Sequence, residues 1–451
     1  MNKGFVKNLI RLHDIAGLDF HILATLLFRG WGLLGGAVTI LLLPIWLSPA
    51  EQGYYFTFSS VLAIQIFFEL GLNQVVIQLV SHEAAHLSES SGYSINGKEI
   101  HLSRLASLSK LIQSWYGISA LLFALFGGIF GIIFFSLKGA QPSSVLLGIW
   151  LVLVCATAIN LWLSPRLAMM EGYGQVGQVA RLRLAQSVLG FGGLWLMLIS
   201  GMGLWAATAV PLASVICTAY WLKMRAKEPY MFSEVAIERQ NQIRWRTEVF
   251  PLQWRIALSW ISGYLIFNLF TPVVFSRQGA VEAGRLGMAL TVFGAISTVG
   301  MSWVNAKVPN FTKLIALGQR NELNRLFKAV YLRSTISIVI TSVILVIGIG
   351  YLNHVGFTQV RRIASLDVLI VLAIATVANS MIFSMAIYMR AHREEPMMPL
   401  SVVMGILVAC VIYIGSAYST YIMMFLYMLV CLFIALPWTL WLFIKYLNRT
   451  N

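Results

Sequence analysis

Twelve long apolar stretches run through the chain and constrain its fold more than any other feature. They cover residues 22–47, 53–80, 111–137, 145–165, 184–201, 203–222, 256–276, 286–306, 334–352, 367–389, 397–417 and 421–443. A helix needs about 20 apolar residues to cross a bilayer, so each stretch can span one. Because 59% of the 451 residues are hydrophobic and only 11% are charged, a soluble, fibrous or disordered protein is excluded. The pattern predicts an all-α polytopic membrane protein with about twelve transmembrane helices.

The basic residues orient these helices, because Lys and Arg concentrate in cytoplasmic loops. With the N-terminus inside, 26 of the 32 basic residues lie in cytoplasmic segments. The short external loops hold five, which are Lys138, Arg277, Arg285, Arg361 and Arg362. Both termini are therefore predicted to be cytoplasmic. The basic excess reflects this loop asymmetry, so we expect no nucleic-acid partner.

Weak matches at an offset near half the chain length predict an internal duplication. Arg29 opens the first span and Arg255 opens the seventh, while Asn160 and Asn379 lie in the fourth and tenth. Such repeats build two-lobed transporters, here two six-helix lobes. The predicted segments are an N-terminal segment 1–21, a lobe 22–222, a basic linker 223–255, a lobe 256–443 and a tail 444–451. The alternative is that ordinary helix-end residues recur by chance.

Charged and amide side chains inside apolar spans are costly, so they are functional hypotheses. Gln65, Glu69 and Asn73 fall on one face of the second span. Arg29 and Glu69 lie at about the same depth, roughly 30 Å from the turn between the first two spans, so they are expected to face one another. Arg29 could instead extend to the cytoplasmic interface, and Glu69 could serve only a structural ion pair. The predicted cavity residues are Arg29, Gln65, Glu69, Asn73, Arg255 and Asn268.

His82-Glu83-Ala84-Ala85-His86 matches the zinc-protease pattern of two histidines one helical turn apart, with a glutamate that could activate water. A catalytic zinc needs a third protein ligand, and the sequence offers no convincing one. The four cysteines show neither disulfide nor zinc spacing. We therefore predict no enzymatic activity, no cofactor and no metal site. Replacement of Glu83 by Gln is expected to leave transport intact.

Two basic segments are predicted to lie on the inner leaflet. Residues 306–333 combine six basic residues with an apolar face, which is typical of an amphipathic interfacial helix. The linker 223–255 has the same character, with Trp245 and Trp254 as interface anchors.

Several local motifs, in this order along twelve spans, resemble a known family. They are Leu43-Pro44-Ile45-Trp46-Leu47-Ser48-Pro49, Glu51-Gln52-Gly53-Tyr54, Phe68-Glu69-Leu70-Gly71-Leu72 and Pro309-Asn310-Phe311-Thr312-Lys313-Leu314. From about residue 20 to 445 the chain resembles the polysaccharide transporter (Wzx-like flippase) branch of the multidrug/oligosaccharidyl-lipid/polysaccharide exporter superfamily.

The resemblance implies that the protein flips an undecaprenyl-pyrophosphate-linked oligosaccharide across the bacterial inner membrane. The glycan would serve O-antigen, lipopolysaccharide or other surface polysaccharide biosynthesis. It implies a cationic cavity lined by spans 1, 2, 7 and 8, in which Arg29 and Arg255 suit the pyrophosphate. The partners would be the lipid-linked substrate, bilayer lipids and a coupling proton or sodium ion, with Glu69 as the coupling acid. The second half has no equivalent of Glu69, which departs from a symmetric coupling scheme.

Three other functions remain open from the sequence. A multidrug cation antiporter of the same superfamily is the first, although a cationic cavity opposes it. A membrane metalloprotease using His82, Glu83 and His86 is the second. A glycan polymerase or ligase is the third, and the short external loops argue against it.

Overall fold

The computed structural model describes residues 20–90, 94–97, 99–139, 144–224, 242–392 and 396–450. Within this part of the chain, eleven helices are long and apolar enough to cross a membrane, or twelve if one bent pair counts as a single span. All twelve predicted stretches coincide with these helices. The predicted fold class, a helical multi-pass membrane protein, is therefore confirmed. Residues 1–19 and 225–241, which hold most of the predicted N-terminal segment and half of the predicted linker, lie outside the described residues.

The first half of the chain is helical apart from one short hairpin. Its elements are α1 (Phe20–Trp46), α2 (Pro49–Leu62), α3 (Ile66–Glu69), α4 (Leu72–Ala84), β1 (Leu87–Ser90), β2 (Ser94–Gly97), α5 (Glu99–Lys138), α6 (Ser144–Gly172), α7 (Val176–Ile199) and α8 (Ala209–Met224). The two strands pair antiparallel, with Leu87 opposite Gly97. This hairpin is the one departure from an all-α fold among the described residues.

In the second half, every secondary-structure element among the described residues is a helix or helical turn. Its helices are α9 (Phe250–Phe267), α10 (Phe270–Gln278), α11 (Ala280–Asn305), α12 (Val308–Ala316), α13 (Arg320–His354), α14 (Leu366–Ala391), α15 (Met398–Gly415), α16 (Thr420–Val430) and α17 (Leu436–Thr450). A π-helical turn, Trp245–Val249, leads into α9. A second one, Cys431–Ala435, joins α16 to α17.

The chain forms two compact units. The first contains Met1–Leu42, Gln65–Ile133 and Ser143–Ala257, and the second contains Leu43–Ile64, Phe134–Pro142 and Leu258–Asn451. The ends of the first and third spans and the beginning of the second span are therefore grouped with the C-terminal half of the sequence.

The core of the first unit includes the packing of α4 on α6. Leu72, Val75 and Val80 of α4 are completely buried. Ser81 extends the contact by donating its hydroxyl hydrogen to the carbonyl of Gly172 at 3.0 Å. Burial of these branched side chains, at about 1.5–3 kcal/mol each, fixes the C-terminal half of the second span against the fourth.

In the second unit, α2 packs directly on α11. A Cβ atom on Gly53 would lie 1.8 Å from the carbonyl oxygen of Ala280, so only glycine permits this approach. A Cβ atom on Gly284 would lie 2.8 Å from the Gly53 nitrogen. The neighbouring Gln52 is 1% exposed. We call the contact built by these four residues the α2–α11 seam.

Hydrogen bonds close the outer end of the α2–α11 seam. The Gln52 amide donates to the carbonyl oxygens of Gly284 at 3.0 Å and Arg362 at 2.9 Å. Arg362 in turn donates from Nη2 to the carbonyl of Leu47 at 2.8 Å. Burial lowers the pKa of the Arg362 guanidinium, and the charge of Glu51 partly opposes that shift. The residue still carries its positive charge at every physiological pH.

The predicted amphipathic helix at 306–333 is divided in the structure. The helix α12 ends at Ala316, and the transmembrane helix α13 begins at Arg320. Phe311 is fully buried, and its ring packs 6.1 Å from Phe327 and 6.3 Å from Tyr388. Phe311 therefore packs against aromatic rings of α13 and α14, a contact that the sequence pattern did not reveal, whereas Leu317, just past the end of α12, is 58% exposed.

Candidate functional site

A break in the second span positions its carboxylate. Leu70 and Gly71 both adopt left-handed backbone conformations, with φ of 50° and 67°. Glycine takes this conformation without cost, whereas for leucine it costs roughly 1–2 kcal/mol. Glu69 is the last residue before the break. A strained residue next to a carboxylate inside a membrane span is a feature that functional sites share.

A hydrogen-bonded cluster surrounds Glu69. Its Oε1 accepts from Asn73 Nδ2 at 2.7 Å, and the same Nδ2 donates to Ser164 Oγ at 3.2 Å. The hydroxyl of Tyr116, a fully buried residue, donates to Asn73 Oδ1 at 2.8 Å. Asn73 therefore joins the broken span to α5 and α6. A change in the charge of Glu69 would alter hydrogen bonds that connect all three spans.

The structure does not join Glu69 to Arg29. Arg29 is exposed on α1, and no ion pair or hydrogen bond connects the two among the described residues. The predicted contact is therefore absent in this structure. The physical reason is the helix break, which leaves Glu69 hydrogen-bonded to Asn73, and through it to α5 and α6.

Gln65 does not join this cluster in the described part of the chain. It ends a 3₁₀ turn, Ala63–Gln65, which interrupts the helix just before α3. The ideal helical spacing that placed Gln65, Glu69 and Asn73 on one face therefore applies only to part of the span. Glu69 and Asn73 are brought together, and Gln65 lies half-buried one turn earlier.

The other two predicted site residues lie on α9 and just after it. Arg255 is exposed, and its guanidinium lies 5.6 Å from the ring centre of Trp254. Asn268 stands at the interruption between α9 and α10, where its backbone nitrogen donates to the carbonyl of Tyr264 at 2.9 Å. Unlike the second span, the seventh continues through this short interruption as one span, Trp245–Gln278.

The second unit contains two adjoining cavities that sequence reasoning did not predict. Their volumes are about 300 Å³ and 160 Å³, and both are lined by Phe267, Asn379 and Phe383. Asn379 Nδ2 donates to the hydroxyl of Tyr427 at 2.8 Å. Among the residues that the structure describes, no carboxylate lines either cavity, and Arg390 lines the smaller one. The only signal in the sequence was an amide, Asn379, inside an apolar span.

Asn160 and Asn379, the two asparagines that the predicted duplication pairs, make similar contacts in the two halves of the sequence. Asn160 Nδ2 donates to the carbonyl of Pro211 in the sixth span at 3.1 Å. Asn379 donates to Tyr427 in the twelfth span. Each asparagine therefore ties the fourth span of its half to the sixth.

The zinc-protease pattern belongs to an ion-pair network. Glu83, whose side chain is 5% exposed, lies 2.6 Å from His101 Nδ1 and accepts from Arg104 Nε at 2.8 Å. Arg104 also pairs with Glu248. His82 is 75% exposed, and the described residues contain no group of three or more His, Cys, Asp or Glu side chains that could hold a metal ion. The protease interpretation is therefore not supported.

Comparison with known proteins gives the fold a context. No protein-family model and no curated protein sequence matches the chain. An inward-facing multidrug resistance MATE transporter of the MOP superfamily is 14% identical with a TM-score of 0.55, over 92% of this chain and 99% of its own. The lipid II flippase MurJ in an inward closed conformation is 11% identical with a TM-score of 0.60, over 93% and 86%.

A third solved structure is described as a MOP superfamily transporter from Pyrococcus furiosus with reversed binding-pocket polarity. It is 14% identical to this chain with a TM-score of 0.55, over 94% of this chain and 96% of its own. This chain has the fold of MOP-superfamily transporters. At these identities the likeness establishes the fold alone, and it does not select the Wzx-like branch.

Proposed function

We propose that the protein flips an undecaprenyl-pyrophosphate-linked oligosaccharide across the bacterial inner membrane, to supply O-antigen or another surface polysaccharide. The observation that carries the proposal is the lining of the two cavities in the second unit, which is aromatic, apolar and amide-bearing and contains no carboxylate among the described residues. A carboxylate would attract a cationic drug and repel an anionic lipid-linked sugar. The fold, shared with a lipid II flippase, is compatible with such cargo.

Within this proposal, Arg29 and Arg255 bind the pyrophosphate. Both are exposed, and neither is paired with an acid among the described residues. Guanidinium groups match phosphate oxygens with paired hydrogen bonds. Glu69 is the coupling acid, because its hydrogen bond to Asn73 would transmit a change of protonation to two other spans.

A second candidate function is multidrug export. The observation that favours it is the aromatic character of the larger cavity, which Phe267, Phe270, Phe293 and Phe383 line. Aromatic faces attract cations, by about 0.5–2 kcal/mol each. The described lining of the two cavities contains no carboxylate that could pair with a cation, so we rank this function second.

Deletion of the gene separates the two functions. For the flippase we expect lipid-linked oligosaccharide to accumulate in the membrane, surface glycan to fall, and susceptibility to cationic dyes to stay unchanged. Mass spectrometry of extracted lipids, glycan staining and growth in dye measure these quantities. Increased dye susceptibility with normal surface glycan would replace the proposal with the second candidate.

The role of Glu69 is tested by Glu69→Gln. The amide can keep the hydrogen bond from Asn73 but cannot release a proton, so we expect normal membrane abundance and at least a tenfold loss of glycan export. Glu322→Gln, an exposed acid on α13, is the matched control and should export normally. Arg29→Gln in the same background should not restore export, because the two residues are not paired. Restoration by the double mutant would reduce Glu69 to a structural charge.

A further inference from the structure

A cavity of about 490 Å³, lined by both polar and apolar side chains, opens at the end of the second unit where the predicted external loops meet. Its wall comes from the α10–α11 turn, the connection from α13 to α14, and the α15–α16 turn. The volume falls within the range of about 300–1,000 Å³ that small-molecule sites occupy. None of the predicted site residues lines this cavity.

One wall of this outer cavity is held rigid by hydrogen bonds between α10 and α16. Gln278 Oε1 accepts from Thr420 Oγ1 at 2.6 Å, and Gln278 Nε2 donates to the carbonyl of Ser416 at 3.0 Å. Ser419 Oγ accepts from the backbone nitrogen of Ile422 at 3.1 Å and so caps α16. Fixed polar side chains lose little entropy when a ligand binds.

The opposite wall carries two arginines. Arg285 donates from Nε to the carbonyl of Arg361 at 3.0 Å and from Nη1 to Glu282 Oε1 at 2.5 Å. Glu282 therefore neutralises Arg285. The guanidinium of Arg361 is exposed and pairs with no acid among the described residues. The cavity thus presents one uncompensated positive charge.

We infer that this outer cavity binds a sugar unit that carries a carboxylate, such as a hexuronate. The planar guanidinium of Arg361 matches a carboxylate with two parallel hydrogen bonds. Asn353 and Ser365 offer groups that hydrogen-bond to hydroxyls, and the half-exposed ring of Tyr421 offers an apolar face for the sugar ring. A single free positive charge suits a monovalent carboxylate better than a doubly charged phosphate, which would also meet Glu282.

The physiological role that we infer for this cavity rests on the proposed function, because the sugar would belong to a glycan that has crossed the membrane. The site would then hold the polar end of the cargo on the outer side after translocation. Binding itself is independent of transport and can be measured on the purified full-length protein.

The experiment is calorimetric titration of the protein in nanodiscs with sodium galacturonate. We expect saturable binding that Arg361→Gln weakens at least about tenfold, the loss of roughly one charge-assisted contact. Arg277→Gln is the matched control. It removes a cation from the end of α10, next to Gln278 of the cavity wall, but this cation stacks 4.4 Å from the ring centre of Tyr413 and does not line the cavity. Its affinity should equal that of the unmodified protein.

Two further ligands decide the chemistry. Galactose lacks the carboxylate and should bind at least about tenfold more weakly, and inorganic phosphate at equal concentration should not displace galacturonate. Equal binding of galactose, displacement by phosphate, an unaffected Arg361→Gln variant or no binding of galacturonate would each overturn the inference. A protein that fails here but still exports glycan would leave the proposed function standing.

Discussion

Glu83 is a buried charge whose partners decide what its replacement does. Removing one member of a buried ion pair typically costs about 3–5 kcal/mol, and the cost here is at the lower end because Arg104 is 25% exposed. We therefore expect Glu83→Gln to lower the thermal unfolding temperature of the purified protein clearly, while export per folded molecule is retained. We therefore keep the prediction that Glu83→Gln leaves transport intact, and we add to it a loss of stability.

His82→Ala is the control for Glu83→Gln. This histidine is 75% exposed, so its replacement should change stability by less than about 0.5 kcal/mol. A Glu83→Gln protein of normal stability that exports no glycan would contradict the ion-pair assignment and favour hydrolytic chemistry.

The spacing of the two histidines did not predict the partners of Glu83. Two histidines four residues apart on a helix are a zinc pattern, but the partners of Glu83 come from His101 and Arg104, which follow the hairpin. A hairpin that returns the chain onto α4 cannot be read from periodicity. Glu69 was predicted because a carboxylate in an apolar span stands out, whereas Tyr116, which donates to Asn73 in the same cluster, does not, since tyrosine is common in membrane helices.

At the scale of helices, the α2–α11 seam depends on glycine. Gly53→Ala would put a methyl group 1.8 Å from the carbonyl oxygen of Ala280, so the helices must separate. We expect a loss of about 1–3 kcal/mol or more, seen as a lower unfolding temperature of the purified protein.

Gly36→Ala on α1 provides the comparison for the seam. A Cβ atom there meets no other atom within 4 Å, and alanine favours a helix by up to about 1 kcal/mol. This variant should be as stable as the unmodified protein or slightly more so. Equal unfolding temperatures for the two variants would mean that the seam does not contribute to stability.

Helix positions were predictable, but the breaks inside them were not. Length and apolar composition located all twelve spans because a bilayer imposes the same requirement on each. The interruptions at Leu70–Gly71 and at Asn268 arise where backbone groups find other partners, and that depends on neighbouring helices. The packing of Phe311 on α14 was not predictable for the same reason, while the location of this basic segment on the inner leaflet stays a prediction.

For the molecule as a whole, the distribution of basic residues predicts the orientation in the membrane. Reporter fusions after three residues should lie in the periplasm, namely Lys138, Gly201 and Arg361. Fusions after three others should lie in the cytoplasm, namely Ser91, Ala236 and Asn451, all outside the described residues. The expected pattern follows from 26 basic residues inside against five outside. A cytoplasmic signal at Arg361 would contradict the twelve-span topology.

The helical membrane fold was predictable because the length and apolar composition of each span can be seen in the sequence. The cavities of the second unit were not, because they result from how aromatic side chains from several helices meet around Asn379. The predicted duplication pairs Asn160 with Asn379, and each donates a hydrogen bond to the sixth span of its half. The duplication itself stays a prediction. Assignment of a cargo therefore needs the cavity lining as well as the sequence.

Synthesis delivers the two sides of the α2–α11 seam at different times. Gly53 leaves the ribosome about 230 residues before Ala280, which corresponds to roughly ten to fifty seconds at elongation rates of about 5–20 residues per second. Until then the glycine face of α2 stays in the bilayer without its partner helix. In a nascent chain that stalls before α11, the side-chain amide of Gln52 therefore lacks the carbonyl groups to which it donates hydrogen bonds in the folded protein. Such a chain would be a ready target for membrane quality-control proteases.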